Sequence, residues 1–312
     1  MKKLCISLIF LIFIGTLSCF LFTNKQNSNE IIMPFGSDLE YKAQIIANSG
    51  KRREYKLENL SSLMGPYELA EFIKKNDNNK IIYTPSNENI KTKEFSANFH
   101  SHTTNSDGSL TVTEYLDLAS SYATPTHPFY LAITDHNNME TGKQIIDILQ
   151  KNPEKYKNLK IAIGMEVFAV LPKKFLTTKD PIEIHIVCLG FDPYEPELNW
   201  VFKNRTGRRS NYSYRTYQDA LELLSRKGLT GIAHPARYTA FPETISTKRL
   251  VNLLFNSYKK ICKNRFHFTE GHYQSYTIED TQIIEYIDEK ATSLQINKSG
   301  GIDNHGKDFF KR

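Results

Sequence analysis

From residue 96 onward, short apolar runs alternate with segments of helical period, and few folds accommodate that alternation. Seven runs read as strands: residues 96–100, 130–134, 160–164, 184–189, 230–233, 266–269 and 293–297. Between them, Thr111 and Glu114 form a capping box that opens a helix through Leu116, Leu118 and Ala119. Tyr217, Ala220, Leu221 and Leu224 share one helix face, and that segment stops at Gly228. Leu250, Leu253 and Leu254, then Ile283, Ile284 and Ile287, repeat the period. The pattern predicts an α/β domain with a mainly parallel sheet.

The polar residues fall where these runs end. In an extended segment, residues i and i+2 point to one face, so His100 and His102 set two imidazoles side by side where one divalent cation could take both. Asp107 follows on a polar loop. The second run ends in Thr134-Asp135-His136 and the third in Gly164-Met165-Glu166. The fourth carries His185, the fifth ends in Ala233-His234-Pro235, and the seventh leads into Asp303-Asn304-His305. In a barrel of parallel strands the carboxyl ends open on one face, so these residues converge although His305 lies 205 positions after His100. Singly, each has an ordinary reading: Asp135 and Asp303 as caps or turn residues, Glu166 as a surface charge, His185 as a partnered core histidine, His234 as a turn residue. Jointly that reading fails, because six of the nine histidines occupy equivalent places with carboxylates interleaved. Of the rest, His127 reads as solvated, His267 as core, and His272 as a residue that could line the mouth.

With these motifs in order, the chain resembles the polymerase and histidinol phosphatase (PHP) superfamily of metal-dependent phosphoesterases. The resemblance rests on His100-x-His102 with Ser106-Asp107-Gly108, Thr134-Asp135-His136, Gly164-x-Glu166, His185, Ala233-His234-Pro235 and Asp303-x-His305. It covers residues 96–306, about two thirds of the chain. It implies a distorted seven-stranded (β/α) barrel holding up to three divalent ions. By that resemblance His100, His102, Glu166 and Asp303 hold the first ion, and Glu166 bridges to a second bound by His185 and His234. Asp107, His136 and His305 hold the third. His100, His102, Glu166 and Asp303 are then the expected catalytic residues, and Asp135 orients the ligands from behind them. Arg237 is either a phosphate clamp through its planar fork or a surface cation. Closely spaced divalent ions can turn a bridging water into hydroxide near neutral pH and clamp phosphoryl oxygens. Imidazole mixed with carboxylate suits Zn, Mn or Fe better than Mg or Ca.

Gly190-Phe191-Asp192-Pro193, Arg205, Arg208, Arg209 and Ala233 to Tyr238 look most like the branch containing nucleotide phosphatases and 5′-to-3′ exoribonucleases. Only 48 residues separate His185 from His234, so the insertion domain of that branch is missing. The net charge of +6, from 40 basic and 34 acidic residues, is scattered; it tolerates an anionic substrate and implies no stable nucleic-acid complex. The resulting expectation is a phosphoesterase acting on small phosphate esters, phosphomonoesters such as nucleotides. The alternatives are a 5′-to-3′ exonuclease or oligonucleotide phosphodiesterase, and a catalytically retired metal-binding module, against which the full ligand set argues.

Lys2-Lys3 followed by 19 uncharged residues, Leu4 to Phe22, predicts a signal peptide or membrane anchor over residues 1–22 and an exported, membrane-tethered protein. Thr16-Leu17-Ser18-Cys19 resembles a bacterial lipobox imperfectly, and the run is also long enough to span a bilayer uncleaved. Lipid anchor, uncleaved anchor and simple secretion stay open. Residues 23–37 read as a polar tether and 38–95 as a helical extension, in which Pro66, Leu69, Phe72 and Ile73 mark a short amphipathic helix. Residues 96–312 form the expected metallophosphoesterase domain. Cys5 and Cys19 belong to the amino-terminal segment, which leaves Cys188 and Cys262, too few for a disulfide framework. If Cys19 carries lipid, metabolic labelling with a radioactive fatty acid is expected to tag the wild type and to disappear in Cys19→Ala; label persisting in the variant excludes the lipobox.

Overall fold

The structure, a computed structural model, describes residues 31–76, 82–83, 97–171, 183–199, 216–235, 247–273, 281–301 and 303–306; for 82–83, 247, 271–273 and 281–284 it describes the backbone alone. The expected signal segment, most of the tether and Arg237 lie outside the described residues. Every described strand and helix belongs to the unit Met33–Arg312. The strands are β1 (Ile82–Tyr83), β2 (Ala97–Asn98), β3 (Phe129–Ile133), β4 (Leu159–Val170), β5 (Glu183–Leu189), β6 (Leu229–Ile232), β7 (His267–Tyr273) and β8 (Asn297–Gly300). The helices are α1 (Asp38–Asn48), α2 (Pro66–Asn76), α3 (Val112–Tyr122), α4 (Glu140–Lys151), α5 (Tyr217–Lys227), α6 (Thr247–Ile261) and α7 (Thr281–Ser293).

Strands β2 to β8 neighbour one another in chain order, and β1 adds to the end of β7. The sheet is nearly closed: the Phe99 N–H donates to the Gly300 carbonyl at 3.0 Å and the His102 N–H to that of Asn304 at 2.8 Å. The mainly parallel α/β barrel of seven strands is therefore as expected, with one exception. Strand β5 runs antiparallel to both β4 and β6, while the remaining neighbours are parallel. The reason is local. Strand β4 does not end at Gly164 but runs on through Glu166-Val167-Phe168-Ala169-Val170, and Gly164 to Val170 pair with Leu189 back to Glu183. That extension uses up chain that a parallel crossover helix would need. Strand β8 also begins four residues later than expected; the apolar pair Leu294 and Ile296 packs at a turn where Gln295 takes a φ of 55°.

Alternation along the strands separates two cores. Outward residues such as Leu131, Ile133, Ile161 and Ile163 pack with helices α3 to α7 in the larger cluster. Inward residues Ala132, Ala162, Val187, Leu229 and Phe268 form the barrel floor with Met64, Leu69, Ala70 and Ile73, which α2 and the chain just before it contribute. Small inward residues make room there: a Cβ on Gly231 would fall 2.2 Å from the Phe268 ring. Helix α2 begins at Pro66, and the first residue of α1 caps it, Asp38 accepting from the N–H groups of Tyr67 at 2.8 Å and Glu68 at 2.9 Å. Burying Leu69 and Ile73 stabilises that closure by about 1.5–3 kcal/mol each.

His267 sits at the start of β7 as the expected core histidine, its Nδ1 donating to the Arg265 carbonyl at 2.6 Å. Burial, helped by Lys259 and opposed by the Arg265 bond, pushes its pKa down from 6.5 to about 4. Below pH 6.5 the unfolded chain takes a proton that the folded chain refuses, so stability falls with pH through the interval from 6.5 to about 4. His267→Asn, which keeps a donor for the Arg265 carbonyl, is expected to flatten this interval by up to about 3 kcal/mol in urea melts. Parallel pH courses for variant and wild type would refute it.

Candidate metal centre

The inward alternation that ends in an apolar floor becomes polar at the other end of each strand. On β4 the inward series is Ala162, Gly164, Glu166 and Phe168; on the reversed β5 it is Leu189, Val187 and His185. His185 lies near the amino end of its strand, and it reaches the mouth because β5 runs backwards. His136 follows β3 and is paired with Glu166, the Asn137 N–H donating to the Glu166 carbonyl at 2.8 Å. His234 follows β6; Asp303 and His305 follow β8. Of the five non-glycine residues with positive φ among those described, Asn137, His234 and Asp303 are donors or adjoin one. Backbone held in that sparsely populated region aims side chains that regular strands would not.

All nine expected donors come together. Their ligand atoms form three groups, each within 4.8 Å: His100, His102, Glu166 and Asp303; Glu166, His185 and His234; His102, Asp107, His136 and His305. Glu166 is at the centre. Its Oε1 lies 2.7 Å from His185 Nδ1 and 2.9 Å from His234 Nε2. Its Oε2 lies 3.1 Å from His100 Nε2, 3.3 Å from His102 Nε2 and 2.9 Å from His136 Nδ1. Asp303 Oδ1 faces His102 Nε2 at 3.0 Å, and Asp107 Oδ2 is 3.3 Å from Nε2 of both His136 and His305. His102, which the resemblance gives to one group only, belongs to two.

The geometry fits divalent cations. His136 Nδ1 and Glu166 Oε2 are buried and face each other at 2.9 Å, yet neither makes a hydrogen bond. His100 Nε2 and His102 Nε2 likewise face each other at 3.1 Å. Atoms so placed direct lone pairs at the space between them, which a cation bound by imidazole and carboxylate satisfies. Burial opposes ionisation of Glu166, but the imidazoles of His100 and His185 outweigh it and hold the carboxyl well below its usual range. For Asp303 the same contest of burial against His100 and His102 ends the same way. Burial disfavours the His136 cation, but the adjacent carboxylates of Asp107 and Glu166 prevail and raise its pKa to about 9. A cation therefore displaces protons from this cluster as it enters.

Asp135 plays a narrower part than expected. Buried, it accepts from the Thr103 N–H at 2.7 Å and from the hydroxyls of Thr103, Ser106 and Thr141 at 2.5–2.6 Å. Its bonds thus fix the loop that carries Asp107 rather than an imidazole. Two carboxylates were missed by sequence reasoning. Glu183 Oε1 lies 3.1 Å from His185 Nε2, and Glu270 touches both His100 and the backbone of His234. The available signal was spacing: Glu183 is two residues from His185 on one strand, and Glu270 is two residues from inward Phe268. Phe168 stacks on His185 at 4.4 Å. Arg237 and the side chain of His272 lie outside the described residues.

The structure is similar to an amidohydrolase from Chromobacterium violaceum, solved with bound sulfate and no metal, at 18% identity and a TM-score of 0.46; 69% of this chain and 89% of that one are covered. It is similar also to a candidate metal-dependent phosphoesterase from Bifidobacterium adolescentis, at 13% identity and a TM-score of 0.48, covering 68% of this chain and 88% of that one. No family model matches the sequence, and no curated protein does.

Because Glu166 serves two donor groups, Glu166→Ala is expected to lose more than one equivalent of bound metal, whereas His234→Ala and His305→Ala each lose about one. Elemental analysis of the folded variants reads this directly, and a full metal complement in Glu166→Ala excludes the sharing.

Proposed function

We propose that the protein is a metal-dependent hydrolase of small phosphate esters, working outside the cytoplasm from a membrane tether. The observation that carries the reading is one buried carboxylate, Glu166, shared between donor groups rich in imidazole. His100, His102, Glu166 and Asp303 would hold one ion and His185 and His234 a second beside Glu166, with Asp107, His136 and His305 at a third position; Zn, Mn or Fe suits these donors. Divalent ions bound there supply Lewis acidity, which lowers the pKa of a water toward neutrality and polarises phosphoryl oxygens. The chain does the rest. His100, His102 and Glu166 side chains are fully buried and keep bulk water from the inner group, whereas Asp107 is 54% exposed. An ester therefore enters on the side of Asp107, His136 and His305. Arg237, three residues past His234, would clamp its phosphate.

The tether reading is supported by Lys2-Lys3 and the uncharged run after them; among the described residues no helix is long and apolar enough to cross a membrane. A phosphomonoester substrate, such as a nucleotide, is supported by the scattering of the basic residues along the sequence.

The test is turnover by the full chain in detergent, loaded with Mn or Zn, on phosphomonoesters, phosphodiesters and 5′-phosphorylated oligonucleotides. Monoester hydrolysis is expected, abolished by chelation and by His100→Ala or Asp303→Ala. Arg237→Ala should raise KM about tenfold with a smaller change in kcat. Preferential trimming of oligonucleotides from the 5′ end would replace this reading with the nuclease, and no hydrolysis of any ester after metal loading would leave a binding module.

A further inference from the structure

Glu270 occupies the inward position of β7 next above Phe268, with its side chain 2% exposed. Oε1 lies against His100 Nδ1, and Oε2 accepts the main-chain N–H of His234. An ionised carboxylate only accepts, so in a neutral His100 the proton must sit on Nδ1. Nε2, on the far edge of the ring, then keeps its lone pair and faces Glu166 Oε2 at 3.1 Å. The second contact acts on backbone. His234 has a φ of 26°, unfavourable for a residue with a Cβ, and in that conformation its ring reaches Glu166 Oε1 at 2.9 Å. Gly301 leaves the space: a Cβ there would come within 2.9 Å of His100 Cβ and 3.0 Å of Glu270 Oε1.

We propose that Glu270 is a positioning residue for metal uptake, setting the tautomer of His100 in one donor group while holding the backbone of His234 in the next. It binds no ion itself, because it lies on the edge of the His100 ring opposite the cluster. A carboxylate behind a ligand imidazole also makes that ligand more basic. One side chain thus prepares two donor groups. The inference rests on reading the cluster as a metal centre.

Glu270→Gln tests it with little change of shape. An amide offers one acceptor and one donor edge. With its oxygen toward His234, its NH2 meets His100 Nδ1 and drives the ring proton to Nε2, into the cluster; turned round, it opposes the His234 N–H. Either way a donor group is spoiled. In the full chain, zinc affinity measured by chelator competition is expected to fall about 10- to 100-fold. Nitrogen-15 spectra of the zinc-loaded wild type are expected to show His100 protonated at Nδ1, a signature that a purely structural role for Glu270 would not require. Wild-type zinc affinity in Glu270→Gln, or a His100 protonated at Nε2 in the loaded wild type, overturns the inference and leaves the metal centre standing. A wild type that takes up neither zinc nor manganese removes the metal centre itself, and this inference with it. Should the glutamine variant not fold, Glu270→Asp decides: it keeps the charge but is too short to span both donors, so about tenfold weaker zinc binding is expected and unchanged binding overturns the proposal.

Discussion

A carboxylate with no accessible surface is the constraint on which this structure turns. Burying an ionised carboxyl group without partners costs several kcal/mol even after relaxation. Glu166 escapes that cost because five imidazole nitrogens stand within 3.3 Å of its two oxygens. Those imidazoles come from the ends of β2, β3 and β6 and from the body of β5. No single hairpin could supply them. The barrel is the scaffold that lets residues far apart in the chain meet around one charge, and its near closure through Phe99 and Gly300 fixes the first and last strands in that ring.

The polar mouth depends in turn on the apolar floor. Each inward series runs from Ala162, Val187 or Phe268 to Glu166, His185 or Glu270 within two to four residues, so the change from dry core to charged cluster takes less than one strand length. Helix α2 seals the dry end with Leu69, Ala70 and Ile73. Water admitted there would reach the cluster from behind and weaken the interactions that low dielectric strengthens. The amino-terminal helices therefore contribute to the chemistry although they carry none of its donors.

The donors were legible in the sequence because their residue types carry the signal: histidines and carboxylates recurring where apolar runs end have no common structural use in that number. Strand direction was not legible. A period-two pattern reads the same in either sense, so His185 could be assigned to the cluster while the direction of the strand bearing it was mistaken. The mistake left the assignment intact, since a residue near the amino end of a reversed strand arrives where one at the carboxyl end of a parallel strand would. Glu270 and Glu183 stayed hidden for another reason. A supporting carboxylate needs only one oxygen near a ring nitrogen, and the two-residue spacing it leaves in the chain is too common to single out before the barrel shows which positions face inward.

The charge of the donor groups bears on what such a site can receive. Three carboxylates, Glu166, Asp107 and Asp303, serve the three groups, and every other donor is an imidazole. Neutral imidazoles hold a cation without cancelling its charge, so on the proposed reading three divalent ions, at +6 against the −3 of these carboxylates, leave the inner shell positive by +3. Glu270 and Glu183 offset part of it from behind the rings, at a distance and on the sides of His100 and His185 facing away from the cluster. The uncompensated charge is therefore directed at the mouth, beside exposed Asp107, where an entering anion meets it. A site of carboxylates alone would hold its cations as firmly and leave much less positive charge for a phosphate. On the proposed reading, the imidazole-rich composition, more than the mere ability to bind metal, is what would suit this cluster to an anionic ester.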